Sequence, residues 1–176
     1  MQLSLIGKIA DVLRHNVKKN NVNVEIIQKA VGKDCEELRI ISPKGDTGDT
    51  HIGLEGEQVE AIRIDDLTSK YGQPKLVKID IQGFEADALI GAENTIKNGD
   101  VHFLVEFDPK LMHRSSEHIF DALKILEEQK YGVFFFRAHP SFASELLDYE
   151  ILKTIYKLWC KNSVSSMDLV FRQRAK

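Results

Sequence analysis

Cysteine is nearly missing from this chain of 176 residues. The two present, Cys35 and Cys160, lie far apart and neither belongs to a CxxC pair. That spacing offers no zinc site and no disulfide framework. Also lacking is any apolar run long enough to cross a membrane, and the N-terminus has no basic-then-apolar-then-small order of a signal peptide. The expectation is a cytoplasmic protein without a membrane partner. Positive charge is not in excess either: the formal net charge is −3, which argues against a nucleic-acid surface. The local basic run Arg14 to Lys19 reads as a solvated helix face. No internal repeat or low-complexity tract occurs. The stretch "KGDTGDTHIGLEGEQ" at 44–58 has no period and no GxxxxGK[ST] order, so it reads as surface loop rather than a phosphate cradle.

What is there is an ordinary globular composition, 43% hydrophobic and 29% charged in 20.0 kDa. It suits one domain over residues 1–176. Leu3, Ile6, Ala10, Leu13 and Val17 recur at steps of three and four and predict a first helix whose apolar face must pack on something. Short strands follow in "VEIIQKAVG" and "ELRIISP", then a strand in "VEAIRI" and a helix opening at the acids of "DDLTSKYG". Next come a strand in "PKLVKIDI", one helix over "FEADALIGAENTIKNG", and a strong strand in "VHFLVEF" halted by Asp108 and Pro109. A capped helix in "SSEHIFDALKILEEQK", a strand in "YGVFFFR", a helix from Ala143 to Lys161 and a last strand in "DLVFRQR" complete the chain. Alternating strands and helices with strongly apolar strands predict an α/β fold, its sheet mostly parallel and covered on both faces.

Charges cluster where such a sheet binds ligands, outside the carboxyl ends of its strands. Asp80 and Gln82 end the strand that begins at Leu76. Glu106 and Asp108 end the one that begins at Val101. If the two strands are neighbours, these side chains line one crevice, and a carboxylate there could accept a proton from a hydroxyl. Asp108 serves equally well as a turn cap, and Glu85 as the first-turn acid of the next helix. His113 is a substrate-side candidate. The histidines form no ligand set, and no metal is expected.

These residues carry a resemblance. "VEAIRIDDLTSKYGQPKLVKIDIQGFEADALIGAENTI" is similar to the central signature of the FkbM-type methyltransferases, in which a strand and an "LDDL"-like helix lead into "lKIDVEGxExxvLxGa". "VHFLVEF", the upstream "LRHNVKKNNVNVEIIQKAVG" and the closing "DLVFRQR" also resemble segments of that family. The resemblance implies a class I methyltransferase, Rossmann-like sheet whose final strand runs antiparallel. It implies S-adenosylmethionine as cofactor and a hydroxyl on a small-molecule or glycan acceptor. On this chain it implies Asp80 and Glu106 as the catalytic carboxylates, one of which would orient or deprotonate the acceptor hydroxyl. Lys29, Ala30, Val31 and Asp80 would lie around the donor, with Gln82, Glu85 and His113 on the substrate side. Gln82 replaces the signature's acid and cannot act as a base.

The family's first two strands, with their glycine-rich loop and ribose-binding acid, have no counterpart ahead of the first helix. The resemblance therefore implies an N-terminally incomplete domain, with "LVKIDI" exposing one edge for a homo-oligomer or a complementing chain. The alternative is a non-catalytic remnant or interaction module of the same fold that does not bind the donor.

Overall fold

The computed structural model describes residues 5–41, 50–135, 146–161 and 166–173. The first helix, α1, spans Leu5–Lys19, and the strands β1 (Ala30–Val31), β2 (Glu37–Ile41), β3 (His51–Ile52) and β4 (Glu57–Ile62) follow. Then come α2 (Ile64–Tyr71), β5 (Leu76–Ile79), α3 (Glu85–Ile90), α4 (Glu93–Asn98) and β6 (His102–Phe107). The chain continues through α5 (Pro109–Ser115), α6 (Ile119–Glu128), β7 (Tyr131–Phe135), β8 (Leu146–Leu147), α7 (Tyr149–Trp159) and β9 (Met167–Gln173). Among the described residues no helix is long and apolar enough to cross a membrane.

The strands form two sheets, ordered β1-β4-β2-β3 and β5-β6-β9-β7-β8. This corrects the expected mostly parallel, Rossmann-like sheet. Among the described residues only β1–β4 and β5–β6 pair in parallel; the other five pairings are antiparallel. Two causes are visible. The last strand, β9, enters between β6 and β7 and runs against both, so each contact it makes is antiparallel. In the first sheet β3 and β4 flank β2 and both run against it, so β2 makes antiparallel contacts on each side.

Coverage also differs from expectation. Along β6, Phe103, Val105 and Phe107 are buried while His102 is exposed and Leu104 and Glu106 are half-buried. That period of two marks a sheet with one covered face, where parallel sheets show continuous apolar runs. The covered face meets α3 and α6, and its core joins Phe103, Phe107, Leu123, Leu126, Leu169 and Phe171. Tyr131 is tied in by its ring against Phe103 and by its carbonyl, which accepts from the Tyr149 hydroxyl at 2.9 Å. The helix α7 thus packs into the core through Tyr149, Leu152 and Tyr156. Residues 136–145 and 162–165 lie outside the described residues. On α1, Ala10 is buried, but Val12 is 60% and Leu13 46% exposed, so its apolar face is only partly covered.

Asp108 and Pro109 stop β6 at Phe107, as expected, and also start α5. The Asp108 carboxylate accepts from the amides of Lys110 at 2.9 Å and Leu111 at 3.0 Å, and proline at the first helical position has no amide to leave unpaired. The single helix expected over 84–99 is two. Gly91 separates them because the backbone of Gly32 lies against it: a Cβ at Gly91 would sit 2.1 Å from the Gly32 carbonyl oxygen. The second piece, α4, is capped from outside. Asp65 of α2 accepts from the Asn94 amide at 3.0 Å, the Thr95 amide at 2.8 Å and the Thr95 hydroxyl at 2.8 Å. Its own amide donates to the Gly91 carbonyl at 2.9 Å.

Two substitutions test this joint. Gly91→Ala forces the two backbones apart and is expected to cost about 3 kcal/mol, as overpacking does. Asp65→Ala strips the acceptor from the buried Thr95 amide and hydroxyl, with an expected loss of about 2–3 kcal/mol. Urea midpoints at unchanged m-value measure both.

Candidate active site

Parallel pairing of β5 with β6 aligns Ile79 with Val105, so Asp80 and Glu106 follow one residue later on adjacent strands. Their carboxyl groups are near enough to shift each other's ionisation. The Lys78 ammonium, in contact with Asp80, holds that carboxyl below its usual range, and the neighbouring Glu106 adds to this. Burial lifts Glu106 above its usual range, and the neighbouring Asp80 lifts it further. The two carboxyl groups are thus pushed in opposite directions. Asp168 stands directly across from Glu106 on β9 and adds negative potential to the same sheet end.

The turn after β5 is bent to hold this pair. Gln82 takes φ +56° and Gly83 φ +102°, both left-handed, a conformation costly for a residue with a side chain. A Cβ at Gly83 would lie 2.6 Å from the Leu111 carbonyl oxygen, so the turn is wedged against α5. The Gln82 amide nitrogen donates to Glu106 Oε2 at 3.4 Å. Glu85, only 1% exposed, fixes the turn from below: its Oε1 accepts from the amides of Ile81 at 3.0 Å and Gly83 at 3.1 Å. Its Oε2 is buried with no hydrogen-bond partner among the described residues.

Between β1 and the carboxyl end of β5 opens a cavity of about 370 Å³, within the range of small-molecule sites. Lys29, Ala30 and Val31 line one side and Asp80, Ile81 and Gln82 the other. The structure thus brings together the three residues before Gly32 and two members of the acidic cluster. Glu106 supports Asp80 without lining the cavity, and Glu85 is the clasp of the turn. His113 is exposed on α5 with its ring edge-on to Tyr156, centroids 6.4 Å apart, and is not among the lining residues.

Five further lining residues, Ile9, Ile40, Thr50, His51 and Ile52, escaped the sequence reading. Thr50, His51 and Ile52 belong to the aperiodic stretch taken for surface loop, of which residues 42–49 lie outside the described ones. Ile9 comes from α1. Among the described residues no group of three or more His, Cys, Asp or Glu could hold a metal ion.

The family model of the Methyltransferase FkbM domain matches residues 8–133. The chain belongs to that family. Its match takes in α1, both parallel strand pairs and the Asp80–Glu106 pair. No curated protein matches the chain. The crystal structure of methyltransferase FkbM from Methylobacillus flagellatus KT is similar at 18% identity and a TM-score of 0.47. The likeness covers 93% of this chain and 32% of that one.

Glu85 gives the site a pH signature. Burial raises its pKa above the ordinary 4.5. Above the raised value the folded protein holds a buried carboxylate that the unfolded chain keeps in water, so stability is lost there. As pH falls through the raised value towards 4.5 the folded state takes up the proton first and the loss is recovered. Glu85→Gln keeps an acceptor for both turn amides. It should be at least as stable as the parent at about pH 7.5, with the advantage shrinking as pH falls, measured by urea midpoints across the range.

Proposed function

We propose that this FkbM-family chain transfers a methyl group from S-adenosylmethionine to a hydroxyl oxygen of a small-molecule or glycan acceptor. The observation that carries the reading is the cavity joining Lys29, Ala30 and Val31 to Asp80 and Gln82. Its lining suits the donor chemically. Val31, Ile40, Ile52 and Ile81 offer apolar surface to an adenine ring, and Asp80 keeps a negative charge for a cationic group. When bound, the donor supplies a methyl group on positively charged sulfur.

The remaining work belongs to the chain's own residues. The backbone at Lys29 to Val31 borders the ring end of the cavity. Asp80, held ionised by Lys78 and oriented by Glu106, attracts the positive end. Gln82 can both donate and accept, and so orients the acceptor hydroxyl. The isoleucine walls keep water away from the reacting atoms, where alignment supplies most of the acceleration. We assign the outer edge of β5, which pairs only with β6 among the described residues, to a second copy or a complementing chain.

That edge, with the exposed Val12 and Leu13, also favours a second reading, an interaction module that does not bind the donor. Calorimetric titration with S-adenosylmethionine separates the two. Under the first, the chain binds and Asp80→Asn weakens binding at least about tenfold, ~1.4 kcal/mol. Absence of binding by the parent chain would select the second.

A further inference from the structure

Among residues 7–19 of α1, Ala10 alone is buried. Ile9 is 39%, Val12 60% and Leu13 46% exposed, a row that follows the helical steps of three and four. A contiguous aliphatic row left open on a helix marks a surface that something else covers. The charge beside it is of one sign. Lys8, His15 and Lys19 recur at steps of seven and four along the adjoining stripe, so one face presents aliphatic and basic side chains together. Asp11, the one acid of α1, stands two positions beyond Ile9 and so on the far side, where it pairs with Arg14 at 2.7 Å. Among the described residues no salt bridge involves Lys8, Lys18 or Lys19.

Charge and side-chain type decide between the occupants of such a face. A second copy seated on it across a two-fold axis would set the basic stripe against itself. The aliphatic row offers nothing to a nucleic-acid backbone. Protein partners favour aromatic and arginine contacts, and lysine is depleted where they meet. α1 has no Phe, Tyr or Trp, its one arginine is held by Asp11 and by Gln28 at 3.1 Å, and its free cations are lysines. A bilayer with anionic headgroups accepts both halves of the face. Aliphatic side chains enter the boundary between headgroups and acyl chains, while lysine stems lie along them and carry their ammonium groups out to the negative charge. Lying on a bilayer needs no crossing helix, and no described helix is one. Spans and signal peptides, on which the expectation of no membrane partner rested, have no bearing on surface binding.

We propose that α1 docks this face on an anionic bilayer surface, with Ile9, Val12 and Leu13 entering the headgroup boundary and Lys8 and Lys19 meeting the lipid charge. Docking of this kind requires nothing of the methyl-transfer reading. It would bring the headgroup layer beside the cavity between the sheets, because Ile9 also lines that cavity.

Co-sedimentation of the full chain with vesicles of phosphatidylcholine, with and without about 30% phosphatidylserine, tests it. Binding should require phosphatidylserine and weaken at least about fivefold when salt rises from about 0.1 M to about 0.5 M. The double variants Lys8→Gln/Lys19→Gln and Val12→Ser/Leu13→Ser should each weaken it at least about fivefold. These positions are exposed, so urea midpoints should match the parent's and show that the fold is intact. Equal binding to both vesicle compositions, or binding that either variant leaves unchanged, would overturn the proposal. So would a chain that ignores both vesicles. If it then sediments as a dimer that Val12→Ser/Leu13→Ser breaks, the face belongs to a second copy, and if as a monomer, to another protein.

Discussion

Two carboxyl groups at the ends of neighbouring parallel strands disfavour each other's ionisation, and much of this structure follows from how that conflict is settled. Lys78 stands two residues before Asp80 on the same face of β5, so one member of the pair always has a cation to hand. Glu106, the more buried of the two, is pushed towards its protonated form. The left-handed turn at Gln82 and Gly83, and the buried Glu85 beneath it, keep the geometry in place. Two carboxyl groups pushed in opposite directions are thereby fixed side by side by register alone, before any ligand arrives.

The chain belongs to the FkbM methyltransferase domain family, yet the architecture around this pair is not a continuous parallel sheet. Two sheets meet at the cavity, each contributing one parallel pair and otherwise antiparallel contacts. The cavity therefore draws its walls from elements that sequence order keeps far apart: α1, the β1 strand, the β2–β3 hairpin and the end of β5. The apolar walls come largely from α1 and the first sheet, and the acid from the second.

The elements with strong periods were legible. α6 and β6 carry repeated apolar positions, and the turn at Gly83 announced itself by glycine. The places that misled are those where one residue type serves two purposes. Asp108–Pro109 ends a strand and begins a helix, and proline gives the same local signal for both. Gly91 looks tolerable within a helix until the carbonyl of Gly32 is seen against it, a contact between residues about sixty apart in the chain. Asp65 reads as the first-turn acid of α2, whereas its carboxylate caps α4. At the site, Asp80 and Gln82 stood out because charge interrupts an apolar strand. His51 sat in an aperiodic stretch rich in glycine and aspartate, where nothing local distinguishes a cavity wall from solvent-facing loop. Insertion of β9 between β6 and β7 is a long-range choice with no signature in either strand, and only the family resemblance pointed to an antiparallel last strand; the antiparallel contacts of the first sheet escaped altogether.

The joint at Asp65 and Gly91 carries a mechanical consequence. α2 leaves the first sheet directly after β4, and α4 leads into β6 of the second, so the Asp65 carboxylate bolts one sheet to the other. The tight seat of Gly91 on Gly32 leaves no slack beside it, one residue beyond the β1 wall. Any rocking of the sheets that widened the gap between β1 and β5 would have to shear this bolt. The jaws of the cavity are set at a fixed gape, and selection among ligands falls to its lining rather than to a closing movement.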